Sequence, residues 1–319
     1  MRHVIRLTVF LMSLFAAGVS VAQSFPSKAV RLVVPSAPGG SSDVAARLLA
    51  SELEKRLGQP AIVENRTGAG QSIAASVVAK AAPDGYTLYF AGALSPHPIF
   101  TKNNAVDAKK EFSPVSNLLT FGALYFMAST RLPVTSFREL VAYSRANPGK
   151  LNYANVTPAQ ELAMAILKSR SGLSNTQIPY KADSQIITAF KAGEADIALM
   201  VGAPYIRYMQ DGTLRPLFIA ASKRSAVSPD VPTSAEVGVP NFEVSFNIGL
   251  WAPAGTPRDV IQRLNSDSNA VIRMASIGER LRNLNAEPLG STPEEQLSLF
   301  EADVRFFSEA ARLANFEAK

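Results

Sequence analysis

The chain has 319 residues, of which 47% are hydrophobic and 18% charged, so it is long enough for two α/β units with separate cores. Its formal net charge is +6, but no block of five or more Lys and Arg residues occurs, which disfavours nucleic-acid binding. The absence of cysteine excludes thiol catalysis and cysteine-ligated metal or iron–sulfur sites.

The N-terminus has the pattern of a secretory signal peptide. Arg2 and Arg6 give it a positive start, the run LTVFLMSLFAAGV is apolar but short for a membrane span, and small residues precede Gln23. The sequence therefore predicts an exported protein that is cleaved after Ala22. The mature chain keeps one histidine, His97, which excludes a His-rich metal site and restricts any Ser-His-Asp triad to this residue.

Short apolar strands then alternate with amphipathic helices. Strands are predicted at 30–35, 60–65 and 86–92, with helices at 43–57 and 71–82 between them. This β-α-β-α-β order predicts a parallel sheet that helices cover. Ser41, Ser42 and Asp43 are N-cap candidates for the first helix, and Gly58 is positioned to end it.

Strands and helices also alternate in the second half of the chain. Strands are predicted at 123–129, 151–156, 176–181, 195–202, 213–221 and 246–255, and helices at 136–150, 158–172, 183–193, 257–274 and 293–314. The sequence predicts an α/β fold of two lobes with a ligand cleft between them. We expect lobe 1 to comprise 23–122 and 246–319, and lobe 2 to comprise 123–245.

Four segments carry a resemblance to a known family. They are residues 34–90, 178–200, 214–243 and 249–257, and in this order and spacing they resemble the Bug-type, TctC-like receptors of tripartite tricarboxylate transporters. The resemblance implies a periplasmic binding-protein fold of the Venus flytrap kind, similar to type II. It also implies a monomeric receptor that closes on a small carboxylate and delivers it to membrane permease subunits, with no cofactor and no metal.

The turn after the first strand is the main candidate site. Small residues let backbone N–H groups approach a ligand, and the start of the following helix adds unpaired N–H donors and a partial positive charge. Such a turn can bind a carboxylate without Lys or Arg. Asp43 is predicted to fix the turn, because it would repel an anion. The alternative is an ordinary capped helix. The predicted wall consists of Ser36, Ala37, Pro38, Gly39, Gly40, Ser41 and Ser42.

The loop at 91–100 is a second candidate. Ala93, Leu94 and Ser95 match positions that line the cleft in the family that the chain resembles. His97 could donate a hydrogen bond to a ligand carboxylate, or could be a solvent-facing or packing residue.

The second lobe is predicted to contribute the segment from Asn155 to Gln160. The resemblance implies a Gly/Ser-rich loop there that receives the distal end of the ligand, but this chain has no glycine in it. Asn155, Val156, Thr157 and Gln160 remain candidate contacts, and Thr157 is predicted to cap a helix. The missing glycines leave the distal contacts open.

Further candidates follow the next strands. Tyr180 could stack on a ligand, Ala182 stands where the family commonly has glycine, and Asp183 follows it. Met200 stands where amino-acid-binding relatives have an aspartate that pairs with the ligand ammonium. A ligand without an amine is therefore expected, an aliphatic or aromatic mono- or dicarboxylate with its apolar body near Met200, Val201 and Phe246. Alternatively, Met200 lies in the core.

Two other functions compete with this one. An exported ligand sensor would present its bound form to a signalling partner, and the sequence does not separate this role from transport. An exported serine hydrolase that uses His97 is disfavoured, because no GxSxG motif occurs.

Overall fold

The computed structural model describes residues 25–103, 105–180, 183–201, 205–225, 228–284 and 286–318. The predicted signal peptide, its cleavage after Ala22 and the candidate Ala182 lie outside these ranges. Within them, no helix is both long enough and apolar enough to cross a bilayer.

The first part of the chain forms the predicted parallel arrangement. Its strands are β1 (Val30–Val34), β2 (Ala61–Asn65) and β3 (Thr87–Ala91), and its helices are α1 (Ser41–Leu57) and α2 (Ser72–Ala79). Strand β1 lies between β2 and β3 and pairs with both in parallel. All three strands therefore end at the same edge of the sheet. Helix α1 buries an apolar face that includes Leu49 and Leu53 and ends at Gly58, whose φ of 67° lies in the left-handed region.

A long crossing strand was only half predicted. Helix α3 (Ala108–Glu111) leads directly into β4 (Phe112–Ser129), whereas the sequence indicated a strand only at 123–129. Strand β4 pairs from Phe112 to Ala123 with β9 (Ser245–Pro253), and the register shifts three times between Pro114 and Ala123. These irregularities remove the strict alternation by which a strand is recognised in a sequence.

The second part of the chain repeats the α/β pattern. Its strands are β5 (Asn152–Asn155), β6 (Thr176–Pro179), β7 (Ile197–Val201) and β8 (Leu214–Ile219), and its helices are α4 (Phe137–Ala146), α5 (Pro158–Ser171), α6 (Asp183–Ala192) and α7 (Ile206–Gln210). Strand β5 is parallel to β6 and β7. Strand β4 pairs with β7 and β8 through its second half. The strand therefore passes from one part of the sheet into the other.

The C-terminal segment contacts both parts. It contains β9, α8 (Arg258–Ile272), α9 (Ala275–Asn283), β10 (Glu287–Pro288) and α10 (Pro293–Ala314). Strand β9 pairs with β3, and β10 pairs with β4. In α10, Phe300 packs with Trp251 in a cluster of the first part, while Phe307 and Ala310 pack in a cluster of the second. The last helix thus bridges both cores.

Buried apolar residues divide into clusters at the middle of β4. Leu118 and Leu119 belong to a cluster with β1, β3, α1 and α8. Leu124 and Phe126 belong to a cluster with α4, α5, β7 and β8. Each part therefore has its own core, and the crossing strands and α10 connect them.

Candidate functional site

The loops that follow the parallel strands define the edge where a ligand is expected. The segments after β1, β2 and β3 begin at residues 35, 66 and 92, and they leave the sheet at one edge because the three strands run in the same direction. In open α/β sheets, ligands bind outside the carboxyl ends of the strands. The corresponding edge of the second part carries the segments after β5, β6 and β7.

A cavity of about 380 Å³ joins the two edges. It is lined by the segment after β3, by the start of α5, by the N-terminal half of β9 and by one face of α10. The structure therefore brings together five predicted site residues from three distant segments of the sequence. They are Ala93, Leu94, Ser95, Thr157 and Phe246.

The turn at residues 36–43 is held by Asp43. The carboxylate of Asp43 accepts hydrogen bonds from the N–H of Gly39 (2.9 Å), from Nε of Arg47 (3.0 Å) and from Nδ2 of Asn65 (2.8 Å). Burial alone would raise the pKa of Asp43, but these hydrogen bonds and the positive charge of Arg47 lower it to about 2. The prediction that Asp43 fixes the turn is confirmed.

The N-cap prediction was wrong. Gly40, not Ser41, Ser42 or Asp43, is the N-cap, because Gly40 is extended (φ −70°, ψ 158°) and its carbonyl accepts the first helical hydrogen bond, from Val44, at 2.9 Å. Glycine has no side chain with which to cap the helix. The backbone N–H groups of Ser41 and Ser42 therefore lie at the N-terminus of α1 with neither an intrahelical acceptor nor a side-chain cap.

Two amides of the turn are already used within it. The N–H of Gly39 donates to Asp43, and that of Gly40 donates to the carbonyl of Ala37 at 3.2 Å. The hydroxyl oxygen of Ser36 is buried without a hydrogen-bond partner among the described residues. Residues 36–43 do not line the cavity, although their turn leaves the sheet beside the loop of Ala93.

His97 lies outside the cavity lining. Its Nδ1 accepts a hydrogen bond from the N–H of Ile99 at 3.2 Å, so the proton of the neutral ring is on Nε2, which lies 3.8 Å from Oδ1 of Asp107. Burial lowers the pKa of His97, although Asp107 opposes this shift. The ring also packs edge-on against Phe300, which lines the cavity. A hydrogen bond from His97 to a ligand stays a prediction.

The start of α5 is built by a capping box. The hydroxyl of Thr157 accepts from the N–H of Gln160, whose side-chain oxygen accepts from the N–H groups of Val156 (2.8 Å) and Thr157 (2.9 Å). Nε2 of Gln160 donates to the carbonyl of Leu199 at 2.8 Å. The Gln160 side chain is therefore occupied structurally, and Thr157 is the predicted residue of this segment that lines the cavity.

Other candidates of the second part are not among the residues that line the cavity. Asn155 is buried, and its Oδ1 has no partner among the described residues. The N–H of Tyr180 donates to the carbonyl of Asn155 at 2.8 Å, and Asp183 begins α6. Direct contacts of Asn155, Val156, Tyr180 and Asp183 with a ligand stay predictions.

Met200 lies in the core. It is fully buried opposite Tyr125 of β4, in a cluster with Met127 and Ile186, while Val201 packs in the neighbouring cluster. This placement matches the alternative interpretation, in which Met200 faces away from the cleft. The argument against a ligand with an amine therefore loses its basis.

Helix α10 contributes a wall that the sequence did not reveal. Its cavity-lining residues recur at helical spacing and are Gln296, Leu299, Phe300, Asp303 and Phe307. The sequence held one signal for this wall, because Asp303 lies between the apolar residues 300 and 307 on the same face of the helix. Burial raises the pKa of Asp303 to about 7. No group of His, Asp and Glu side chains in the described ranges could hold a metal ion.

Comparisons of the chain with a family model and with known proteins agree on one family. A family model described as "Tripartite tricarboxylate transporter family receptor" matches residues 45–305. A UPF0065 protein of Bordetella pertussis is 34% identical over 281 residues, which is 86% of each chain. Protein BugT of the same organism is 33% identical over 287 residues, which cover 88% of this chain and 87% of BugT.

Two solved structures share the fold. Rpa4515 of R. palustris, solved with adipate, aligns with a TM-score of 0.73 and 29% identity, over 92% of this chain and 100% of Rpa4515. MatC (Rpa3494) from Rhodopseudomonas palustris, solved with bound malate, aligns with a TM-score of 0.67 and 30% identity, over 91% of this chain and 100% of MatC.

Proposed function

Because the chain belongs to the TctC family of tripartite tricarboxylate transporter receptors, we propose that it captures a small mono- or dicarboxylate in the periplasm and delivers it to permease subunits. Members of this family are solute receptors, not enzymes, and the chain has their two-lobed fold. The family assignment removes the hydrolase alternative built on His97. The carrying observation is the cavity lined by strand-end loops of both lobes.

The carboxylate is proposed to bind at the turn after β1. The uncapped N–H groups of Ser41 and Ser42 supply donors, and the helix dipole of α1 favours a negative charge there. A carboxylate needs no cationic side chain in such a place. Asp43 holds the turn rigid while its own charge is satisfied by Arg47 and Asn65.

The apolar body of the ligand is proposed to enter the adjacent cavity. Ala93, Leu94 and Phe246 give this cavity apolar walls, and Thr157 gives it a polar contact from the other lobe. Adipate in the Rpa4515 structure and malate in the MatC structure support a dicarboxylate of about the size of these two ligands.

Capture is proposed to proceed by closure of the lobes, with lobe 1 at 23–122 and 246–319 and lobe 2 at 123–245. The lobes are connected by β4 and β9, and a ligand favours the closed form only through contacts that it gains there. We also propose that the receptor acts as a monomer and that the N-terminal 22 residues direct export.

A thermal-shift screen of the mature protein tests this function. The screen covers the dicarboxylates from malonate to suberate, together with malate and the monocarboxylate benzoate. The control is adipamide, which has the shape of adipate without its charge. A ligand at 100 times its Kd should stabilise the protein by about 2.7 kcal/mol. Stabilisation by adipamide as large as that by adipate, or by none of the acids, would contradict the proposal.

A further inference from the structure

Asp303 is the one carboxyl group that lines the cavity among the described residues. It lies on the cavity face of α10 between Phe300 and Phe307, and Phe100 and Trp251 also line this space. No Lys, Arg or His side chain belongs to the lining formed by the described residues. The side chain of Asp303 also makes no hydrogen bond or ion pair within the described ranges.

The neighbouring acids of the same helix have partners. Glu301 pairs with Lys109 at 2.7 Å, and Glu309 lies 3.6 Å from Arg170. Cations are thus available along α10, but none of those described reaches Asp303. An acid in an apolar environment without a partner is costly, and such groups cluster at functional sites. Burial accordingly shifts the pKa of Asp303 upward, to about 7.

A second observation concerns two polar atoms in the wall of the cavity. Nε1 of Trp251 and Oε1 of Gln296 are buried in its wall, and neither has a hydrogen-bond partner among the described residues. Both side chains are only 3% exposed. Unpaired buried donors and acceptors are rare and costly, so these two atoms leave polar groups unsatisfied beside the cavity. Leu299, 44% exposed, leaves the cavity accessible beside α10.

We propose that Asp303 and the aromatic wall around it bind the ammonium group of the ligand, so that the receptor accepts ω-amino carboxylic acids. A carboxylate supplies the opposite charge, and the faces of Phe and Trp rings attract cations in a desolvated site. The turn at residues 36–43 is outside the lining of this cavity, so a ligand that reaches both places would carry its ammonium and its carboxylate at opposite ends. The inference rests on the proposed function for its carboxylate end and deepens it by naming the other end.

Isothermal titration with matched pairs of acids tests the assignment. 4-Aminobutanoate, 5-aminopentanoate and 6-aminohexanoate are compared with succinate, glutarate and adipate. The proteins are the wild type, Asp303→Asn and the control Glu301→Gln, whose side chain points to Lys109. We expect at least one ω-amino acid to bind the wild type and the control alike, and to bind Asp303→Asn about tenfold or more weakly. Dicarboxylate binding should stay equal or tighten in Asp303→Asn.

The outcomes separate this inference from the proposed function. If dicarboxylates bind but no ω-amino acid binds the wild type, the ammonium site is wrong and the receptor function stands. The inference also fails if Asp303→Asn binds the ω-amino acids as tightly as the wild type does. If neither class binds the wild type, the carboxylate function itself fails. Circular dichroism of Asp303→Asn verifies that the variant is folded before any loss is counted.

Discussion

The backbone N–H of Gly39 donates a 2.9 Å hydrogen bond to the carboxylate of Asp43, four residues later. This bond closes the turn onto the first residues of α1 and leaves the N–H groups of Ser41 and Ser42 uncapped. An acid at the start of a helix would ordinarily weaken an anion site. Here its charge is neutralised by Arg47 and it accepts a hydrogen bond from the amide of Asn65, so it organises the site without competing for the ligand.

Replacing Asp43 by Asn should loosen the turn. The change removes the charge that accepts from Gly39 and Arg47, and hydrogen bonds to a charged group contribute about 1.5–3 kcal/mol. We expect the free energy of unfolding in urea to fall by about 2 kcal/mol, together with carboxylate affinity. Glu52→Gln, on the same helix and paired with Lys55 at the surface, is the control and should change stability by less than about 0.5 kcal/mol. Equal effects of the two substitutions would contradict the role of Asp43.

Ser41→Pro tests whether backbone amides bind the anion. Proline is tolerated at the first helical position, and Gly40 already has the extended ψ of 158° that a residue before proline adopts. We therefore expect a folded protein whose affinity for the best dicarboxylate of the screen falls about tenfold, because one charge-assisted hydrogen bond is lost. Ser41→Ala keeps the N–H and should bind nearly as the wild type does. A Ser41→Pro protein that binds normally would remove this amide from the site.

The sequence allowed the turn to be located, because its determinants are local. Glycine, serine and an aspartate in one strand-to-helix corner predict a tight turn and a helix start whatever surrounds them. The cap itself could not be identified this way, since Gly40 and its serine neighbours all favour that position. That Asp43 fixes the turn could be predicted, but the hydrogen bond that it accepts from Gly39 is known only from the structure.

Contacts between distant segments could not be predicted. Nothing in the local pattern of α10 says that it packs across both lobes, so its wall of the cavity was missed. The side of the sheet on which Met200 lies depends on the pairing of β7 with β4, which sets Met200 opposite Tyr125 in the core. Pro114 and the register shifts that follow it hid the first half of β4.

Asp303 should make the free energy of unfolding fall as the pH rises. Its folded pKa of about 7 lies above the ordinary value of 3.8, so the folded state holds the proton more tightly than the unfolded state does. The wild type therefore loses stability as the pH rises from about 4 to about 7. We expect Asp303→Asn to be more stable than the wild type at pH 8 and closer to it at pH 4, in urea unfolding at both values. A stability difference that does not change with pH would refute the partial burial of this carboxyl group.

Gly122 is expected to matter for closure of the lobes. It lies near the middle of β4, at the register shift between Thr120 and Ala123, with a φ of +88° that L side chains rarely adopt. The register shift and the glycine are where the crossing strand can absorb a rotation of one lobe against the other. Gly149 has a similar φ of +76°, and a Cβ at either position would meet no atom within 4 Å.

The two glycines therefore form a matched pair. Gly122→Ala and Gly149→Ala should each lower the free energy of unfolding by about 1–2 kcal/mol, because both place alanine in the left-handed region. Only Gly122→Ala should also weaken binding of the best dicarboxylate severalfold, since the strained residue then lies on the strand that must bend. Titration calorimetry beside urea unfolding separates the two effects. Affinities that fall equally, or not at all, in both variants would exclude the middle of β4 as the hinge.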